Sequence, residues 1–245
     1  MSSTSLRIMT YNVHSCIGRD SRVAPLRIAN IIAQYEPDVV ALQELDAGRK
    51  RTDKVHQAER IAEHLNMDFH FHPSFQIGEE QFGNAILSRL PMRMVKAGPL
   101  PGFPHRRHEK RGALWASISI GDKELQFLTT HLGLHRKERH LQAGALLGPE
   151  WAAHSCCASP LVVCGDLNAL PLSAVYRRFR SIFRDVQLSH SLAKPRNTYP
   201  SIYPLVRIDH IFSSNGVMVR DIQVPRTRMT STASDHLPLI VEVSI

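Results

Sequence analysis

Long hydrophobic runs are missing from this sequence. No stretch approaches the ~20 apolar residues that a membrane-spanning helix needs, so a membrane span is not expected. The opening residues MSSTSLRIMT lack the apolar core of a secretory signal, and a cytoplasmic location is expected. Cysteine is scarce: the four are Cys16, Cys156, Cys157 and Cys164, with no C-x-x-C pair. A thiolate zinc site is therefore not expected, and free thiols suit a reducing compartment. Histidine is plentiful at 14 residues, yet no H-E-x-x-H occurs. Aromatic residues make up only 7% and form no run on which bases could stack. Internal repeats, low-complexity tracts and Gly/Ser linkers are all absent.

What is present is ordinary globular composition. Hydrophobic residues are 43% and charged residues 21%, which argues against disorder. A chain of 245 residues can bury a large core without disulfide staples. Lys and Arg total 30 against 22 Asp and Glu, a net charge of +8. That balance favours anionic partners, although a moderately basic surface is also common in proteins that bind none. A monomer is expected.

The hydrophobic pattern interleaves strands and helices. Leu6 to Val13 reads as a strand leading into a loop over 12–22. Pro25 opens a helix with Leu26, Ile28, Ile31, Ile32 and Tyr35 at helical spacing, closed before Pro37. Asp38 to Leu45 is a mostly apolar strand, and a second helix carries Val55, Ala58, Ile61, Ala62 and Leu65. Strands are expected at 84–88, 92–96, 113–120 and 124–131, with Gly121-Asp122 as a tight hairpin. A helix over 136–154 with a break near Gly148-Pro149 follows, then a strand at 161–164 and a short helix at 174–179. The last strands fall at 206–212, 217–224 and 239–243. This order predicts an α/β fold with mixed sheets.

Polar residues recur where these strands end. Asn12, Glu44, His131, Asp166 with Asn168, Asp209 with His210, and Asp235 with His236 all hold such positions. Each alone has a structural reading, as a solvated strand end or a side-chain turn. Together they point to a site, because ligands of α/β sheets bind beyond strand ends. Glu44, Asn12, Asp166, Asn168 and Asp235 offer hard oxygen ligands, which suit Mg²⁺ or Mn²⁺ rather than zinc. Histidines add groups that move protons near neutral pH. A divalent ion with such histidines is a kit for attacking a phosphate ester with water.

The motifs TYNVH (10–14), LQEL (42–45), GNAILSR (83–89), EKRGAL (109–114), TTHLG (129–133), CGDLNA (164–169), IDHIF (208–212) and SDHLP (234–238) stand in order along the chain. In that order they resemble the endonuclease/exonuclease/phosphatase superfamily, which includes DNase I-like nucleases, neutral sphingomyelinases and inositol polyphosphate 5-phosphatases. The resemblance covers about residues 6–245 and implies one domain over 1–245. It also implies a four-layer α/β sandwich with two packed mixed sheets and helices outside.

The resemblance carries roles with it. Glu44 is expected as the principal metal ligand, with Asn12 beside it and Asp235 at the metal site. Asp166 and Asn168 would orient the attacking water and hold a phosphoryl oxygen. His236 resembles the catalytic histidine, with Asp209 as its orienting carboxylate. His131 stands where the AP endonucleases carry a tyrosine, which argues against abasic-site cleavage. It is expected as a phosphate contact or as general acid for the leaving oxygen.

Arg111, Asn84 and Thr198 are expected to contact substrate, and Glu109 to orient Arg111 or a histidine. The basic stretches 48–54 and 102–112 either line the cleft rim or are solvated loops. The implied activity is Mg²⁺- or Mn²⁺-dependent hydrolysis of a phosphate ester, most simply a phosphodiester. Nucleic acid is the favoured substrate, and a phospholipid or inositol phosphate is the alternative. A non-catalytic polyanion binder would have lost Glu44, Asp166 or His236, and all three are present.

Overall fold

Two six-stranded mixed sheets pack face to face with helices on their outer sides, in a computed structural model that describes residues 4–103, 109–155, 157, 160–189 and 194–245. His105, Arg106, Arg107, His108 and Cys156 lie outside the described residues. In chain order the strands of the first sheet are β1 (Ser5–Asn12), β2 (Val39–Ala47), β3 (Asp68–Ile77), β4 (Glu80–Ser88), β11 (Met218–Gln223) and β12 (Leu239–Ser244). They lie in the order β11-β12-β1-β2-β4-β3. The second sheet holds β5 (Met92–Pro99), β6 (Gly112–Ile120), β7 (Lys123–His131), β8 (Leu161–Asp166), β9 (Arg184–Asp185) and β10 (Asp209–Ser213). Their order is β5-β6-β7-β8-β10-β9. The pairs β1/β2 and β7/β8 are parallel, and the remaining pairs are antiparallel.

The pleat explains the layers. Leu6 and Ile8 on β1, Val39 and Ala41 on β2, and Leu114, Phe127, Val162 and Ile211 on the second sheet meet in the middle. Alternate residues, Met9, Tyr11, Val40 and Leu42, face outward and are covered by helices α1 (Pro25–Tyr35) and α2 (Gln57–Leu65). On the far side, Trp115, Leu128, Val163 and Phe212 are covered by α3 (Arg136–Leu146) and α4 (Ala174–Arg180). Strands buried on both faces must be apolar on both, which is why β2 and β8 read as continuous hydrophobic runs. Helix α1 starts with Pro25 in its first turn and ends at Glu36 in a left-handed conformation, just ahead of Pro37. Short helices α5 (Val186–Ser189) and α6 (Arg228–Ala233) complete the set.

Several elements differ from the sequence reading, among them the short β9 and α5, which were not expected. Strand β3 was not expected, because DFHFHPSFQI carries a proline and lies half-exposed at a sheet edge. There the ladder bulges between Pro73 and Phe75. Helix α6, RMTSTA, has Met229 as its one large apolar residue and is held by a capping box between Thr227 and Thr230. Helix α3 stops at Leu146, short of the expected break at Gly148-Pro149. Among the described residues, no helix is long and apolar enough to cross a membrane.

The outer α-covered layer is tight enough to be tested. Phe212 is fully buried on β10, with ring centroids 5.2 Å from Phe179 and 5.8 Å from Tyr176. Phe212→Ala is expected to lower unfolding free energy by about 3–5 kcal/mol, read by urea denaturation. A loss below about 1 kcal/mol would contradict this packing.

Candidate active site

The register of the second sheet places three polar residues in one row. His131 on β7 is opposite Asp166 on β8, and Asp166 is opposite Asp209 on β10. Gly165 makes the row possible: it sits at φ 135°, and a Cβ there would collide with the Thr130 carbonyl on β7. The first sheet delivers Asn12 at the end of β1, and Asp235 and His236 just before β12. The Ser234 hydroxyl ties these together, donating to the Asn12 carbonyl at 2.8 Å and accepting from the His236 N–H at 3.2 Å.

Glu44 is placed differently from expectation. It does not end its strand; β2 continues to Ala47. The pairing with β4 slips between Leu42 and Leu45, and Glu44 takes φ 61° at that bulge. A bulge re-aims a side chain, and here it turns Glu44 toward the second sheet. A buried Gln43 amide beside it donates to Thr10 Oγ1 and Thr129 Oγ1, both at 3.2 Å, and so pins one sheet to the other.

The side chains form one connected network. Asn12 Nδ2 donates to Glu44 Oε1 at 2.9 Å and to Asp166 Oδ2 at 3.0 Å. Its carbonyl oxygen accepts from the His14 N–H at 3.1 Å, so the amide is a clip between two carboxylates. His236 Nδ1 lies 2.8 Å from Asp209 Oδ2, and its Nε2 faces Asp166 Oδ2 at 3.7 Å. Thr198 donates its hydroxyl to the same Asp209 oxygen, and the Tyr199 ring lies 4.9 Å from the His236 ring. Asn168 donates from Nδ2 to the Leu132 carbonyl at 2.9 Å, which sets it 3.1 Å from His131 Nε2.

Arg111 is buried and meets two partners. It is 3.0 Å from Glu109 Oε2, and its Nη1 is 2.9 Å from His131 Nδ1. A guanidinium only donates, so Nδ1 accepts and the His131 proton sits on Nε2. Burial and the Arg111 charge hold His131 well below the usual histidine pKa. That Nε2–H is turned into the cluster, 3.4 Å from Asp166 Oδ2 and 3.1 Å from the Asn168 amide nitrogen. Asn84 Nδ2 donates to the Gly112 carbonyl at 3.4 Å, next to Arg111. Thr198 is fully buried, so it reaches the site through Asp209.

Two residues escaped the sequence reading. His14 Nδ1 lies 3.6 Å from both Glu44 Oε2 and Asp235 Oδ1, on a loop where His14, Ser15 and Cys16 all have positive φ. Its signal was position: it closes the TYNVH motif that supplied Asn12. Arg207 forms a buried ion pair with Asp185 at 2.7 Å. In the basic stretch 48–54, Arg51 donates to the Ser15 hydroxyl, next to His14, at 2.8 Å. The guanidinium groups of this stretch are engaged by buried Asp46, which Arg51 meets at 2.7 Å and Arg49 at 3.5 Å.

A family model for the Endonuclease/Exonuclease/phosphatase family matches residues 9–236. The chain belongs to this family. It is similar to the uncharacterized protein YbhP of Escherichia coli (strain K12), at 26% identity over 98% of this chain and 97% of the relative. A Bacteroides thetaiotaomicron family protein has the same fold, with TM-score 0.79 and 22% identity over 100% and 99% of the two chains. The human Nocturnin catalytic domain with bound sulfate superposes at TM-score 0.74 and 20% identity, over 98% and 94%. Identities this low show the fold alone. Family members hydrolyse phosphate esters, with a general dependence on divalent metal.

The donor set fits such an ion. Glu44, Asp166, Asp209 and Asp235 bring four carboxylates to one end of the sheets. One oxygen each of Asp166 and Asp209 and one His236 nitrogen lie within 4.8 Å of one another. Burial and the neighbouring Asp209 charge push the Asp166 carboxyl above its usual range. Asp209 Oδ1 is buried without a hydrogen-bond partner. Crowded carboxylates with an orphaned oxygen are short of positive charge. A hard divalent cation meets that need.

The row of polar residues also contains a stability switch. His210 on β10 bonds the Ala169 carbonyl through Nε2 at 2.8 Å, and burial pushes its pKa down to about 4. An unfolded histidine takes its proton near 6.5, while the folded one stays neutral until about 4. Stability contributed by neutral His210 is therefore full above 6.5 and falls as pH drops toward 4, by about 1.4 kcal/mol per pH unit. The raised Asp166 carboxyl acts in the opposite direction over the same range, so the loss is read by difference: between pH 7 and pH 5 the wild type should fall in urea stability relative to a His210→Asn variant. An equal change in both proteins would assign the effect elsewhere.

Proposed function

We propose that this protein is a Mg²⁺- or Mn²⁺-dependent phosphodiesterase that works by in-line attack of water. The observation that carries the reading is the Asp209–His236 pair aimed at Asp166, with Glu44 and His131 completing the same cluster. Glu44, Asp166 and Asp209 would hold the ion, assisted by Asp235. When bound, it polarises a phosphoryl oxygen and neutralises charge on the leaving oxygen.

The chain's own residues divide the remaining work. Asp166, raised by burial and by Asp209, orients the water and takes its proton. The Asp209 charge and hydrogen bond, with the charges of Asp166 and Asp235, hold His236 above the usual histidine pKa against its burial. His236 is therefore an N–H donor toward the phosphoryl group on the water's side. His131 Nε2–H would donate to a second phosphoryl oxygen, and Arg111 fixes the His131 tautomer. Fixed donors of this kind stabilise charge that develops only in the transition state.

The test is hydrolysis of bis(p-nitrophenyl) phosphate and of p-nitrophenyl phosphate with Mg²⁺ and with Mn²⁺. The diester should be cleaved, the activity should vanish with EDTA, and either ion should restore it. Cleavage of the monoester alone would replace the diesterase reading by a phosphatase one. The favoured nucleic-acid substrate drew on net charge. Arg49 and Arg51 contribute less to that argument once they are engaged by Asp46, and plasmid DNA and RNA belong in the same panel.

A further inference from the structure

Beneath the cluster, the face shared by the two sheets changes character in steps. On β1 it carries Leu6 and Ile8, then Thr10, then Asn12. On β7 it carries Leu125 and Phe127, then Thr129, then His131, and on β8 Val162, then Cys164, then Asp166. Alternation puts every second residue of a strand on one face. The ladder sets Thr129 opposite Cys164, and His131 opposite Asp166. On β2 the same face carries Val39 and Ala41, then Gln43, and Glu44 comes next at the bulge. Two central strands of each sheet therefore place one polar residue between the apolar core and the site.

These four residues are buried and bond to one another. Gln43 Nε2 donates to Thr10 Oγ1 and to Thr129 Oγ1, each at 3.2 Å, and both hydroxyls lie within hydrogen-bond reach of the Cys164 thiol. Such a layer adds little to folding, because apolar side chains of the same shape could fill its place. What it adds is direction. Apolar burial is non-directional, whereas an amide held between hydroxyls of two sheets fixes their offset. The site depends on that offset. Asn12 Nδ2 reaches Asp166 Oδ2 at 3.0 Å and His236 Nδ1 lies 2.8 Å from Asp209 Oδ2, and both contacts join the first sheet to the second. A working site tolerates errors of about 0.5 Å.

We propose that Thr10, Gln43, Thr129 and Cys164 are positioning residues, whose hydrogen-bonded layer locks the two sheets in the offset that brings Asn12 and Glu44 of one onto His131 and Asp166 of the other. The proposal rests on the reading of that cluster as a metal-dependent hydrolase site. Its physical content is a separation of roles: the layer is dispensable for folding and required for the spacing of the ligands.

The experiment fills the layer with apolar side chains of similar size, in the full-length variant Thr10→Val/Gln43→Met/Thr129→Val. Cys164 stays, since a buried thiol packs as a small apolar group. Donors and acceptors leave together, so the melting temperature in EDTA should stay within a few degrees of the wild type. Mn²⁺ binding, read without substrate from the electron paramagnetic resonance signal of the free ion, should weaken by about 10–100-fold, and kcat should fall by about as much. A triple variant that melts, binds Mn²⁺ and turns over like the wild type would overturn the proposal and make the layer ordinary core. Thr129→Ser, which keeps the hydroxyl, should keep Mn²⁺ binding, and Thr129→Val should weaken it. Equal losses in these two would assign the effect to packing and also overturn the proposal. The same pair decides the question if the triple variant fails to fold. A wild type that binds Mn²⁺ but leaves bis(p-nitrophenyl) phosphate intact would count against the phosphodiesterase reading alone.

Discussion

Glu44→Gln is expected to lower diester turnover at saturating Mg²⁺ by about a thousandfold, the scale of several kcal/mol of lost charge stabilisation. The substitution keeps the shape of the side chain and its place at the bulge. It keeps one oxygen for the Asn12 amide, now 2.9 Å from Oε1. What it removes is a charge that, against burial, His14, His131 and the Asn12 amide hold in its ionised form, below the usual carboxyl range. The metal-free variant should therefore melt somewhat below the wild type. The distinguishing result comes on adding metal. Wild type at a hundred times its metal Kd should gain about 2.7 kcal/mol, seen as a rise in melting temperature. Glu44→Gln should show most of that rise abolished at the same concentration. A variant with normal metal-induced stabilisation but no activity would move Glu44 from metal binding to another role. Full activity would remove it from the site.

The same residue shows how far the sequence could be read. VVALQE reads as a strand closing on a carboxylate because the hydrophobic run stops there. What cannot be read is the extra residue in the ladder. Leu42 pairs with Ala85 and Leu45 with Gly83, so the slip depends on what β4 presents across the sheet. Gly83 is part of the answer, since a Cβ there would strike the His72 carbonyl on β3. A one-residue slip is a property of three strands together, and β3 itself was hidden by Pro73 and by its half-exposed edge. By contrast, Asn12, His131, Asp166, Asp209 and His236 were legible because each interrupts or flanks an apolar run at a point the fold brings to one end.

Roles were less legible than positions. His131 and His236 look alike in sequence, each a histidine beside an apolar strand. The structure separates them by neighbour: Arg111 lies against Nδ1 of one and Asp209 against Nδ1 of the other. A cation and an anion at the same ring atom push the two imidazoles in opposite directions. That pairing depends on Arg111, which is in the turn before β6, and Asp209, which is at the start of β10. Neither is close in the chain to the histidine it controls. Composition has the same limit. The +8 charge suggested a polyanion, but part of it is held by Asp46.

The Asp209–His236 pair yields the sharpest test. His236→Ala should reduce kcat by about 10²–10⁴, the usual range for a positioned proton-transfer or donor group. Asp209→Asn should fall in the same range, by a different route. Asp209 Oδ2 accepts from Thr198 and from His236, and an amide oxygen could do the same. The nitrogen would then replace Oδ1, which has no partner, and a buried N–H₂ would be left unpaired. The lost charge also removes the main influence that raises His236. If Asp209 acts only by holding His236, the double variant Asp209→Asn/His236→Ala should be no slower than His236→Ala, because the two groups work as one unit. If Asp209 also holds the ion through Oδ1, the double variant should lose a further factor and bind metal more weakly in a thermal titration. The orphaned Oδ1 and its place in the Asp166–Asp209–His236 cluster favour the second outcome. A double variant matching His236→Ala in both turnover and metal-induced stabilisation would confine Asp209 to orienting the histidine.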